Sequence, residues 1–200
     1  MAIFLIRHGE TASNAARIVQ TPEVPLSARG VAQAEQLGRR LAGLGVGAIV
    51  SSDLRRAVMT AERVQAFTGA PITLDAGLQE RNFGDLRGRA YADLGLDLFA
   101  ADYDPPGGEP WERFHTRVDT VWKRIVAASA STDGNLAVVT HGLVCYSLAL
   151  RCLQLPPGES AALRWHNTSV TVVDEAAPWM VQLLNCTAHL DDDAHGGALA

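Results

Sequence analysis

Two hundred residues, 48% hydrophobic and 20% charged, suit one globular unit with a sizeable core and exclude an unstructured chain. The formal net charge of −5 argues against a general nucleic-acid or membrane-surface binder. Any anion site must then be a local cluster of arginine, which supplies 16 of the 17 basic residues; Lys123 is the one lysine.

Ile3-Phe4-Leu5-Ile6 is an unbroken apolar run and predicts a short strand buried on both faces. It stops at Arg7, His8 and Gly9. In an open α/β sheet, ligands collect beyond the carboxyl ends of the strands, and an imidazole beside a guanidinium suits an anion better than a cation. Gly9 permits a tight turn and leaves its N–H near whatever His8 holds. Ser27 is the expected cap of a helix whose apolar face, Val31, Ala34, Leu37 and Leu41, runs to about residue 44. Residues 48–50 form a second buried strand. Ser52 or Asp53 then caps a helix to about residue 67, with Ala57, Ala61 and Val64 inward. Arg56 falls in its first turn, where a cation opposes the helix dipole and calls for an anionic partner.

Residues 71–74 predict a third strand. Residues 78–84 carry no helical or alternating pattern, and residues 85–109 mix Gly, Asp and Pro with short apolar pieces, as expected of a cap over the site. Pro110 suits the first position of a helix running to about residue 130, with Phe114, Val118, Val121 and Ile125 inward. Residues 136–140 predict a core strand ending in His141-Gly142, which repeats the opening pattern. An apolar helix (143–153) and two strands (169–173 and 180–184) follow. The acidic, Gly- and Ala-rich tail, 191–200, is expected to be disordered.

Cys145, Cys152 and Cys186 have no metal-ligand spacing. Their odd number, and an N-terminal apolar stretch too short for a signal peptide or membrane span, predict a reducing, cytoplasmic setting. His115 reads as a surface or cap residue, His166 as structural, and His189 and His195 as solvated. Trp111, Trp122 and Phe99 divide between core packing and a cap pocket. His8 and His141 lack the carboxylates or thiolates of a metal site. They suit an imidazole that takes a phosphoryl group while guanidinium groups neutralise its oxygens.

Leu5-Ile6-Arg7-His8-Gly9-Glu10-Thr11 closely resembles the signature of the histidine phosphatase superfamily, which includes the cofactor-dependent phosphoglycerate mutases. Further motifs follow in the family's order. Residues 14–20 resemble its phosphate-side loop, and Pro25-Leu26-Ser27-Ala28-Arg29-Gly30 its first helix entry. Ser52-Asp53-Leu54-Arg55-Arg56-Ala57 resembles the second-arginine motif. Leu78-Gln79-Glu80 with Phe83-Gly84 and Gly88 resembles the acid motif, and Val139-Thr140-His141-Gly142 the second histidine.

The resemblance implies a phosphate pocket of Arg7, His8, Arg56 and His141, helped by Asn14, with Gly9, Gln20, Thr21 and Gly142 beside the substrate. His8 would become phosphohistidine, and Glu80 would protonate the leaving oxygen and then deprotonate water. It implies no metal and no cofactor. The expected fold is a three-layer α/β/α sandwich over residues 1–190, with a mostly parallel sheet and a small cap. The expected partner is a phosphorylated small molecule or a phosphoprotein, with no nucleic acid and no membrane. Two other readings stand beside hydrolysis: mutase activity, and a phospho-ligand binding module without turnover. The mutase pattern carries cations soon after the acid motif, whereas no basic residue lies between Arg89 and Glu109. Five positions depart from the family pattern: Ser13 for a frequent Trp, Ile18 for a basic residue, Thr21 for Gly, and Leu86-Arg87 for an aromatic-acid pair. All lie near the expected place of the substrate's non-phosphate end.

Overall fold

The computed structural model describes residues 1–161 and 164–190. The expected disordered tail, with His195, lies outside the described residues. Six strands form one sheet: β1 (Ala2–Arg7), β2 (Val46–Ser51), β3 (Ile72–Leu74), β4 (Asn135–Thr140), β5 (Val170–Asp174) and β6 (Val181–Cys186). Their order is β3-β2-β4-β1-β5-β6. The first four run parallel, while β5 is antiparallel to β1 and β6 to β5, so the sheet is mixed. The helices are α1 (Ala12–Ala15), α2 (Ala28–Leu41), α3 (Arg55–Thr68), α4 (Trp111–Ala130) and α5 (Gly142–Arg151).

The apolar run of β1 follows from its place between two layers. Ile3 and Leu5 pack with Phe114, Val138 and Leu148 on one face. Phe4 and Ile6 pack with Leu37, Ala61 and Val139 on the other. With both faces covered, the alternation of a half-exposed strand is absent. Each such side chain contributes roughly 1.5–3 kcal/mol on burial. The register sets Ile6 against Val139 and Arg7 against Thr140. The His8 N–H donates to the Thr140 carbonyl at 2.9 Å. His8 and His141 therefore leave adjacent strands at the same level.

Ser27 caps α2 as expected, its Oγ accepting from the Gly30 N–H at 3.0 Å. The helix stops at Leu41, three residues early, and the chain turns into β2 through Gly45 at φ +62°. The expected cap of α3 does not form. Leu54 occupies the N-cap without a side-chain bond; Asp53 instead accepts from Gln79 Nε2 at 2.7 Å, and Ser52 is engaged with His141. Pro110 is the N-cap of α4 rather than its first residue.

Between Phe83 and Pro110 the chain has only the short 3-10 turns Gly84–Leu86 and Tyr91–Asp93. This segment is strapped to the loop after α1: Gly88 N–H donates to Val19 O at 2.7 Å, Val19 N–H to Arg89 O at 2.9 Å, and Tyr91 N–H to Arg17 O at 2.9 Å. Arg81 holds it from below. That side chain is 2% exposed and donates to the carbonyls of Glu109 (2.8 Å), Leu98 (3.4 Å) and Tyr103 (2.6 Å). Its guanidinium lies 4.0 Å from the Trp111 ring centre. One buried cation thus supplies donors that loop carbonyls would otherwise lack.

Candidate active site

His8 is 2% exposed and His141 fully buried. Their ring centroids are 5.1 Å apart, with the planes tilted by 59°. His8 Nδ1 lies 2.7 Å from the Gly9 carbonyl, which can only accept. Arg56 Nε, which can only donate, lies 3.3 Å from His8 Nε2. Both contacts require the same tautomer, with the proton on Nδ1 and the lone pair on Nε2. Burial, then the charges of Arg56 and Arg7, hold the imidazole well below the usual histidine range. His8 is therefore a neutral base at neutral pH, its lone pair facing a cation.

His141 Nε2 lies 2.9 Å from Ser52 Oγ, and that oxygen also accepts from the Leu54 N–H at 3.3 Å. Among the described residues the hydroxyl has no other acceptor for its own proton, so Ser52 Oγ is assigned as donor to His141 Nε2 and the imidazole proton is placed on Nδ1. That buried nitrogen has no partner among the described residues, and neither does Arg7 Nε. A buried donor left unpaired costs roughly 1–3 kcal/mol. Two such donors beside His8 mark a place for an acceptor-rich ligand.

Arg7, at the end of β1, donates from Nη1 to the Trp165 carbonyl. Arg56 is held by the Thr21 carbonyl, 3.2 Å from its Nη1. Burial lowers both guanidinium groups, Arg56 to about 10, and Glu80 opposes the shift. Glu80 accepts from the backbone N–H groups of Arg81 (3.0 Å) and Leu143 (3.2 Å). Burial raises its carboxyl, against these two donors and the charges of Arg56 and Arg7.

A cavity of about 470 Å³ opens on this group and brings Arg7, His8, Asn14, Gln20, Arg56, Glu80 and Gly142 to one wall. Asn14 closes a capping box with Thr11, its Oδ1 accepting from Thr11 N–H at 3.2 Å. Gln20 lines the cavity while its Oε1 accepts from Thr11 Oγ1 at 2.9 Å. Three expected ligand contacts are absent from that wall: His141, which is fully buried, Gly9 and Thr21. The Gly9 N–H is used by Thr60 Oγ1 at 3.1 Å, so it does not face a ligand. Gly9 is needed for a close approach: a Cβ there would stand 2.6 Å from the Gly30 carbonyl, and one on Gly30 would strike the Glu10 carbonyl. Thr21 serves through its carbonyl on Arg56.

The remaining histidines separate. His115 stacks on Trp111, with ring centroids 5.2 Å apart, and its Nδ1 meets Ser147 Oγ at 2.7 Å between α4 and α5. His166 is exposed. His189 is not solvated: Arg40 Nη1 and Thr168 Oγ1 each lie 3.1 Å from its ring nitrogens, and burial, then Arg40, lowers it to about 4. Of the aromatic residues, Phe99 lines the cavity, Trp111 lies beneath the cap with Nε1 on the Ala100 carbonyl, and Trp122 belongs to the core at 2% exposure.

Asn167 is a site residue that local pattern does not announce. Its Nδ2 donates to the His8 carbonyl at 3.0 Å, and Thr168, at φ +55°, donates its N–H to the Arg7 carbonyl at 3.0 Å. Arg164, Trp165 and Tyr91 also line the cavity. Residues 164–168 carry no regular pattern ahead of β5, and Tyr91 lies in the irregular segment 85–109.

Comparison with known proteins agrees with this geometry. Residues 3–187 match the family model described as the histidine phosphatase superfamily (branch 1). The chain is 32% identical to a Salmonella enteritidis protein named "Probable phosphoglycerate mutase", with 97% of each chain covered. Among solved structures, a mycobacterial glucosyl-3-phosphoglycerate phosphatase is 27% identical, with 92% of this chain and 98% of that one covered and a TM-score of 0.78. The alpha-ribazole phosphatase of Shigella flexneri is also 27% identical, with 94% and 97% covered and a TM-score of 0.79.

Proposed function

The chain belongs to the histidine phosphatase superfamily, a family of phosphatases and mutases, and we propose that it hydrolyses phosphomonoesters through a phosphohistidine at His8. The observation that carries this reading is the neutral His8, its Nε2 lone pair turned to Arg56 in a cavity shared with Glu80.

In the first step Nε2 attacks phosphorus in line, forming the P–N bond as the ester P–O bond breaks. The leaving oxygen takes its proton from the Glu80 carboxyl, which burial keeps protonated to higher pH than an ordinary carboxylate. In the second step Glu80 accepts a proton from water as the water oxygen attacks phosphorus and the P–N bond breaks. The imidazole returns neutral and phosphate leaves. Arg7, Arg56, His141 and Asn14 hold the non-bridging oxygens through both steps. Gln20 and Gly142 border the substrate; Gly9 and Thr21 act through His8 and Arg56. This scheme asks for no metal, since guanidinium groups supply the positive charge. Residues 1–190 would act as one unit, on a small phosphorylated molecule in a cytoplasmic setting. Among the described residues, no helix is long and apolar enough to cross a membrane.

Water decides between hydrolysis and mutase transfer. Arg17 and Arg164 at the cavity edge are exposed, which supports access of solvent to the intermediate. Rapid mixing with a phosphomonoester, then quenching, should give an acid-labile, base-stable adduct on His8. Phosphate should then be released, with negligible interconversion of 2- and 3-phosphoglycerate. An adduct on serine or cysteine would refute the mechanism, and fast isomerisation without phosphate release would favour the mutase.

A further inference from the structure

Three more arginines line the cavity: Arg17 from the loop after α1, Arg87 from the cap and Arg164 ahead of β5. Among the described residues their guanidinium groups make no ion pair and no hydrogen bond, whereas Arg29, Arg117, Arg124 and Arg151 are each paired with a carboxylate. Arg87 is close enough to Arg56 to lower its basicity, and Arg17 acts likewise on the Tyr91 phenol. Arg81 also borders the cavity, but its donors are spent on carbonyls. Among the described residues, the other five arginines share the cavity lining with a single carboxylate, Glu80. A phosphomonoester dianion balances Arg7 and Arg56. The outer three remain uncompensated, in a protein whose net charge is −5.

We propose that Arg17, Arg87 and Arg164 form a second anion subsite at the cavity mouth. The substrate is then a phosphomonoester bearing a further anionic group, a carboxylate or a second phosphate. Between the two anions its body lies against Tyr91 and Phe99, which line the same cavity. The inference rests on the phosphatase reading for the inner site alone. Chemically, three guanidinium forks lining one cavity suit planar or tetrahedral oxyanions better than a neutral alcohol or sugar. The subsite also explains how a cap without basic residues from 90 to 109 can still serve a charged substrate: cations come from three other stretches of chain.

The test uses phosphonates, which bind without turnover. Calorimetry on the full chain compares phenylphosphonate with para-carboxyphenylphosphonate and para-phenylene bisphosphonate. Either added anion should tighten binding by about tenfold or more, as charge-assisted contacts do, and the gain should shrink as salt is raised. The tighter of the two shows which second anion the subsite prefers. In Arg87→Gln and in Arg17→Gln the ratio of anionic to plain affinity should fall toward one. Arg17 is exposed, so Arg17→Gln carries the test if Arg87→Gln fails to fold. A ratio near one in the native protein, or a ratio unchanged in both variants, overturns the subsite. Should the phosphatase reading fail, turnover would be absent while the ratio persists; the two failures are therefore distinguishable.

Discussion

Arg56 Nε lies 3.3 Å from His8 Nε2, so a permanent cation rests on the lone pair assigned to attack phosphorus. In the free protein this contact holds the ring in orientation. With phosphate bound, the same guanidinium is in position to turn to an oxygen and release the lone pair. The contact thus links substrate binding to exposure of the nucleophile.

Arg56→Ala should lower kcat/KM by about 10²–10³-fold, the usual cost of one electrostatic stabiliser of a transition state. It should also raise the His8 pKa, because Arg56 is the largest charge lowering it. Titration of the imidazole by NMR reads the second effect. A His8 pKa unchanged in the variant would contradict the assigned coupling.

Glu80→Gln should cost roughly 10²–10⁴-fold with alkyl phosphates and less with nitrophenyl phosphate, whose leaving group needs little protonation. The pH profile follows from the raised carboxyl. Turnover of alkyl esters should fall as pH rises through the Glu80 pKa, and this limb should vanish in Glu80→Gln. Equal losses for both ester types would remove Glu80 from the acid role.

His8, His141 and His189 are all lowered on folding, His189 from 6.5 to about 4. Between those values the unfolded chain binds protons that the folded chain refuses, so stability rises with pH across the window. The melting temperature should therefore be highest above pH 6.5 and decline as acid is added toward pH 4. His189→Asn should flatten part of that decline, although the residue stands far from Glu80 in sequence. A slope unchanged in the variant would show that His189 is free to protonate in the folded state.

Arg81→Met keeps a similar stem but strips the donors from the carbonyls of Leu98, Tyr103 and Glu109. Leaving buried acceptors unpaired costs about 1–3 kcal/mol each, less where water can enter. Urea denaturation should show a loss of about 3 kcal/mol or more. The backbone N–H of residue 81 that donates to Glu80 is kept in this variant, so alkyl and aryl ester turnover should fall in equal proportion. A larger loss with alkyl esters would show that the Arg81 side chain also acts through the acid.

The two strand-to-histidine junctions were legible because both are local: an apolar run, then His-Gly, with each strand buried on its two faces. Arg56 stood out only as a cation in a first helical turn and Glu80 carried no pattern of its own, so both roles needed the family's motif. Asn167 was not legible, because its bond to the His8 carbonyl spans 159 residues of sequence. Arg81 was hidden for a similar reason: its three acceptors lie on a loop of no regular period. Ser52 or Asp53 was expected to cap α3, but Leu54 takes the N-cap: the Ser52 hydroxyl meets His141 and the Leu54 N–H, and the Asp53 carboxylate meets Gln79, all bonds that no local pattern announces. His189 looked like tail, yet a single turn, Ala188–Leu190, folds it against Arg40 and Thr168.

The interlock of Gly9 with Gly30 has a mechanical consequence. Ser27 N–H on the Glu10 carbonyl (2.9 Å) and Glu10 N–H on Gln33 Oε1 (2.9 Å) complete the clamp. The loop carrying the attacking imidazole is therefore one piece with α2 and behaves as the fixed jaw of a vice. Whatever adjusts to cargo of another shape must be the opposite jaw, Arg87 to Phe99 and Arg164 to Asn167. Selection for new specificity should thus accumulate changes on that side and leave Gly9, Ser27, Gly30 and Gln33 untouched.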